Sequence, residues 1–174
     1  DEAEAASTME RMFGVAPGDR FSFSNYIAKN PIQDDERVFL NGNRLMFIEP
    51  MEATSTEQYV RWAGRVGQCL FDGDDLENAV EEYYKEIVEI QNFILWHYAA
   101  GSKYDTIFWQ KAKEMARSHH YDDKFFDYLN YSKALSHIDD DEIDNEYGQW
   151  YAFSFRNWLD NTDQTTDTYW GTAA

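Results

Sequence analysis

The segment Phe47-Ile48-Glu49-Pro50-Met51-Glu52-Ala53-Thr54-Ser55-Thr56 carries two carboxylates three residues apart, a proline between them and a run of hydroxyls. Pro50 ends an extended stretch, and the residues after it open a helix. Two readings of this segment stand side by side. In the first it is a strand-to-helix connection, with Pro50 setting the turn and the carboxylates complementing the helix dipole. In the second, a carboxylate lies in a closed site next to the backbone N–H groups of Ala53 to Thr56. An anion held there would sit beside an acid or base.

Other residues with chemical potential carry less. A di-iron helical bundle requires Glu-x-x-His pairs, and none of His97, His119, His120 or His137 has a Glu three positions before it. His119-His120 with Asp122 and Asp123 reads as a solvated helix terminus rather than a metal site, because adjacent side chains diverge. Cys69 lies among apolar neighbours on a helix and reads as a buried, inert thiol. No Gly-x-Ser-x-Gly elbow and no Gly-rich phosphate loop is present.

The elements that would hold the segment follow from periodicity. Residues 1–13 read as a helix with Met9, Met12 and Phe13 facing inward and Gly14 as C-cap. Arg20 to Tyr26 alternates as a strand, and Arg37-Val38-Phe39-Leu40 reads as a second one leading into the turn Asn41-Gly42-Asn43. Thr54-x-x-Glu57 and Ser55-x-x-Gln58 are both capping boxes for a helix to about Phe71. Gly64 and Gly67 inside that helix suggest close backbone packing. Leu76, Val80, Tyr83, Ile87, Ile90, Ile94 and His97 form an apolar stripe on a long helix ending near Ala99-Ala100-Gly101, with Glu81 and Lys85 as an outer i,i+4 pair. Asp105 is expected to cap a helix to about Ser118. Asp123 to His137 forms another, with Phe126, Leu129 and Leu135 inward. Asp139-Asp140-Asp141-Glu142 is an acidic break, and a last aromatic helix holds Trp150, Tyr151, Phe153, Phe155 and Trp158. The tail after Asn161 is polar. The fold class is mostly α, with a short β portion near the N-terminus.

Composition bounds the partners. A chain of 174 residues, 43% apolar with six Trp, twelve Tyr and twelve Phe, forms one domain with a substantial core and is not a disordered polymer. A net charge of −18 repels nucleic acid and anionic membranes; a saline setting or a basic partner would account for it equally. No apolar run reaches the roughly 18 residues of a membrane span. A lone cysteine points to a reducing, cytoplasmic compartment. The start Asp1-Glu2-Ala3-Glu4 is no signal peptide, and without an initiating Met the chain reads as a processed product or a piece of a longer protein.

The run Gly42-Asn43-Arg44-Leu45-Met46-Phe47-Ile48-Glu49-Pro50-Met51-Glu52-Ala53-Thr54-Ser55 resembles the segment of the flavin-dependent tryptophan halogenases that leads from the flavin sheet into a helix. Tyr83-Tyr84 through Phe93-Ile94-Leu95-Trp96-His97-Tyr98 is similar to that family's long helix ending in His-Tyr. Phe108-Trp109 and Phe155-Arg156-Asn157-Trp158 resemble its later aromatic segments, and Asp1 to Ala5 the helix before the last flavin-domain strands. The resemblance implies that reduced FAD and oxygen oxidise a halide to hypohalous acid, which a lysine and a glutamate direct onto an electron-rich aromatic such as an indole. It implies Glu52 as that glutamate, the amides of Thr54 and Ser55 as halide ligands, and Gly42 and Asn43 as a flavin-contacting turn.

This chain departs from the family in several places. The Gly-x-Gly-x-x-Gly loop, the lysine and the Trp-x-Trp-x-Ile-Pro segment are expected upstream. Ala53 replaces a common Ser, Ser55 a common Gly, and Arg44-Leu45-Met46 replaces Ala-Ala-Gly. The resemblance thus implies the C-terminal helical part of a flavin-dependent halogenase/monooxygenase-like fold. Residues 1–50 would be a remnant of the flavin-domain sheet and helix, and 51–174 the helical substrate-side domain. Such a chain is expected to be inactive alone, to hold no FAD by itself, and to self-associate or pair with a flavin-binding chain. The alternative is an acidic helical protein-interaction module without catalysis.

Overall fold

The structure, a computed structural model, describes residues 2–16, 18, 24–35, 37–48, 53–100, 106–134 and 146–161. These residues are mostly helical. The helices are α1 (Glu2–Phe13), α2 (Thr54–Phe71), α3 (Leu76–Ala100), α4 (Ile107–Ser118), α5 (Asp123–Ala134) and α6 (Ala152–Asn161). Six two-residue strands pair antiparallel: β1 (Tyr26–Ile27) with β4 (Met46–Phe47), β2 (Ile32–Gln33) with β3 (Val38–Phe39), and β5 (Glu146–Tyr147) with β6 (Trp150–Tyr151). A 3₁₀ turn, Gly42–Arg44, precedes β4. No helix among the described residues is long and apolar enough to cross a membrane.

The centre of the fold is α3, as its stripe predicts. Tyr83, Ile87, Ile90, Ile94 and His97 are buried, and α3 packs on α4 and α2 while α5 packs on α6. Aromatic rings fill the interior where these helices meet the β5–β6 hairpin. Phe93 stacks on Trp150 at 3.9 Å and Trp96 on Phe155 at 5.2 Å, with Phe125, Tyr128 and Tyr147 closing around them. Offset and edge-on ring pairs of this kind add roughly 0.5–1.5 kcal/mol each beyond the area they bury. These rings are therefore core, while Phe13, Phe71, Phe108 and Phe153 stand exposed.

Several expectations are corrected. The apolar face of α1 is not inward: Met9, Met12 and Phe13 are exposed, although Gly14 closes the helix through its N–H to Glu10 O at 2.8 Å. Neither capping box caps α2. Its N-cap is Ala53 in the left-handed conformation with no side-chain capping bond, because the Ser55 hydroxyl turns to Ile48 instead. Gly64 and Gly67 have no atom within 4 Å of where a Cβ would stand, so nothing among the described residues packs closely on them. Lys85 pairs with Glu82, not Glu81, and the N-cap of α4 is Thr106. Cys69 is half-buried; burial and the carboxylates of Asp74 and Asp75 push its thiol up. Phe126 is half-buried, and Phe125 takes the core place beside Leu129. Trp150 and Tyr151 form a strand before α6 rather than its first turn, and Phe153 is exposed. The β content is thus not confined to the N-terminal part. Arg20 to Phe23, Glu49 to Glu52, Asp105, Leu135 to His137, Asp139 to Glu142 and the tail after Asn161 lie outside the described residues.

Candidate functional site

Three side chains on one face of α2 hold the segment that precedes it. Ser55, Tyr59 and Trp62 lie at i, i+4 and i+7, and each bonds the main chain of residues 40–48. The Ser55 hydroxyl donates to Ile48 O and accepts from Ile48 N, both at 3.2 Å. Tyr59 OH bonds Met46 O at 2.7 Å and Asn43 Oδ1 at 3.0 Å. The Trp62 indole N–H donates to Leu40 O at 2.9 Å. The strap therefore runs antiparallel to α2, tied at three successive points. Polar-tipped side chains at helical spacing were the readable signal, but nothing local says that their acceptors lie up to 22 residues upstream.

This strap decides where the residues singled out from sequence stand. Thr54 opens α2 and is fully buried; Ser55 is half-buried. Both its hydroxyl bonds go to Ile48, so only its amide remains to serve a ligand. The 3₁₀ turn of Gly42 and Asn43 is pinned to Tyr59, about 6 Å of helical rise from Ser55. Gly42 has φ 57 and open space where a Cβ would stand. Its N–H donates to Asn41 Oδ1 at 2.8 Å. The described parts of the candidate site, the Gly42–Asn43 turn and the Thr54–Ser55 helix start, are thus brought onto one helix. Glu52, with Glu49, lies outside the described residues.

The first-turn N–H groups of an α-helix have no intrahelical partners, and their dipoles favour an anion. Here Ala53 offers no capping side chain to compete for them. A groove of about 690 Å³ lies elsewhere, between the β2–β3 hairpin and the start of α3, floored by Ile32, Leu76 and Val80. Its rim of Asp34, Asp35 and Glu77 would repel an anion, so it does not serve the same chemistry.

Beneath the start of α2 lies a buried polar ladder that hydropathy did not reveal. Gln58, fully buried, donates its amide N–H to Glu86 Oε2 at 2.8 Å. The other atom of that amide, Oε1, is buried with no hydrogen-bond partner among the described residues, an arrangement that typically costs about 1–3 kcal/mol. Glu86, on α3, also receives both arms of the Arg65 guanidinium, one at 2.7 Å. Arg61 stands 3.7 Å from Glu86 and bonds Glu57 at 2.9 Å and Glu146 at 3.0 Å. Burial works against the Glu146 charge, yet hydrogen bonds from Tyr151 and Arg61 hold its carboxyl below the ordinary value.

Six residues further along α3, Asn92 is the hub of a second buried group. Its amide N–H atoms donate to Tyr147 OH at 2.7 Å and Asp122 Oδ2 at 3.1 Å, and its Oδ1 accepts from His119 Nε2 at 2.8 Å. Since a carboxamide oxygen only accepts, His119 carries its proton on Nε2. Burial and nearby His120 lower its pKa, with Asp122 opposing. His119 is thus a structural donor rather than part of a solvated end. Among the described residues no group of three or more His, Cys, Asp or Glu could hold a metal.

No curated protein and no solved structure matches this chain. A family model does: that of the tryptophan halogenases aligns with residues 7–165, covering the strap, the start of α2 and every later helix. With so nearly the whole chain matched in order, from α1 to beyond α6, it belongs to the tryptophan halogenase family.

Proposed function

We propose that this chain supplies the glutamate and the halide-binding helix start of a flavin-dependent halogenase acting on an electron-rich, indole-like aromatic. The observation that carries the reading is the pairing of a family match over residues 7–165 with an α2 start whose N-cap, Ala53, makes no side-chain capping bond and to which the Gly42–Asn43 turn is strapped. In this reading the amides of Thr54 and Ser55 hold the halide against the helix dipole. Glu52 orients the electrophile and takes the proton the ring loses as the carbon–halogen bond forms. Residues 1–50 belong with the flavin-side sheet and residues 51–174 form the helical substrate side of a halogenase/monooxygenase-like fold. The cofactor is reduced FAD, which supplies with oxygen the oxidising equivalents for the halide. Gly42 suits its approach, because the backbone there is open where a Cβ would stand. The Gly-rich loop and the lysine come from residues this chain does not contain, so the chain alone turns nothing over.

The test supplies reduced FAD, oxygen, bromide and a panel of indoles to the chain, alone and joined to a family flavin-binding portion. Brominated product is expected only from the joined protein, and Glu52→Gln should reduce its kcat by at least 10²-fold, the lower range for loss of a positioned acid or base. Product from the chain alone, or a Glu52→Gln variant of native rate, would overturn the reading.

A further inference from the structure

We propose that Gln58 is a positioning residue that holds the first turn of α2 in register for anion binding. The inference rests on the reading of that turn as the halide site. Ala53 gives the turn no side-chain cap, so what fixes it must come from elsewhere. Ser55 ties it to the strap at Ile48, and Gln58, one turn further on, ties it to α3 through Glu86. Helical side chains lean towards the N-terminus, so Gln58 covers the turn that begins with Thr54; both are fully buried. The orientation of the amide follows from chemistry, since a carboxylate accepts and only the NH₂ end can face it. Glu86 is in turn held by both arms of Arg65, a rigid post on the most buried helix.

The retained orphan oxygen supports a role beyond packing. A leucine or methionine of similar size would satisfy the interior better than an amide with one unpaired end. Natural chains break such a local rule chiefly where function requires it.

The experiment titrates the purified 174-residue chain with sodium bromide, following bromide NMR line width, and records thermal midpoints in parallel. Gln58→Leu should raise the bromide Kd about tenfold while shifting the midpoint little, because the lost bond and the removed orphan oxygen offset. Glu86→Gln keeps an acceptor for Gln58 but strips Arg65 of its carboxylate; it should lower the midpoint and leave the Kd no weaker than native. Gln58→Met serves if the leucine variant does not fold. A native Kd in the Gln58 variants, or Kd and midpoint moving together across the set, overturns the positioning role while leaving the halide site intact. A native chain that binds no bromide overturns the halide reading itself, and this inference with it.

Discussion

Gly148 and Gly64 should respond to the same substitution with opposite signs. Gly148 sits in the β5–β6 turn at φ 62, buried against α3. A Cβ there would stand 3.2 Å from Glu89 Cβ, 3.5 Å from Glu89 Oε2 and 3.8 Å from the Trp150 ring. The left-handed conformation costs a non-glycine residue about 1–2 kcal/mol, and crowding a packed interface adds about 1–3 kcal/mol. Some relief through Glu89 places Gly148→Ala near 2–4 kcal/mol. At roughly 2–4 °C per kcal/mol for a chain of this size, the melting midpoint should fall by about 4–16 °C. Gly64 lies exposed on α2 with nothing within 4 Å of its missing Cβ. Gly64→Ala gains helix propensity, about 0.5–1 kcal/mol, and should raise the midpoint by about 1–4 °C. Scanning calorimetry of the three proteins decides the matter. A Gly148→Ala midpoint within 2 °C of native would refute the packing of the hairpin on Glu89, and a lowered midpoint in Gly64→Ala would refute the open face of α2.

Arg65→Met leaves Glu86 with Gln58 and the more distant Arg61, and breaking a buried pair on one side costs about 3 kcal/mol at the lower end of the usual range; urea unfolding should show a correspondingly lower midpoint at unchanged slope. Protonation of His119 is disfavoured in the folded state, so its folded pKa lies below the unfolded value of 6.5. Its contribution is therefore complete above pH 6.5 and declines as pH falls below it. Urea midpoints of the native chain should drop across that window more than those of His119→Gln, whose amide can still donate to Asn92; parallel pH profiles would contradict the assignment.

Much of the helical scaffold was legible without coordinates. The α3 stripe from Leu76 to His97 reads directly, since burial of one face imposes its own period. The Glu-Pro-Met-Glu-Ala-Thr run marked both the helix start and the family. Thr54 and Ser55 have the composition of caps, but a hydroxyl bonds whichever acceptor the tertiary fold presents, and for Ser55 that is Ile48. The exposed Met9, Met12 and Phe13 show the same limit, because periodicity defines an apolar face without saying what covers it.

The buried polar groups carry no local signature. Glu86, Glu89 and Asn92 repeat every three residues along α3, and by composition they belong on a solvated face. They are buried because Arg65, Lys124, Tyr147, Asp122 and His119, 21 to 55 residues away in the chain, neutralise or bond them. Periodicity and short motifs are local, and they suffice to mark α2, α3, α4 and α5 as helices and to place the chain in its family, but they carry Trp150 and Tyr151 into a helix where the fold makes a strand. Only the tertiary structure decided which carboxylates are interior and which turn of α2 is tethered to α3. A buried charge is stable only with its partners in place, and those partners are chosen by proximity in space rather than along the chain.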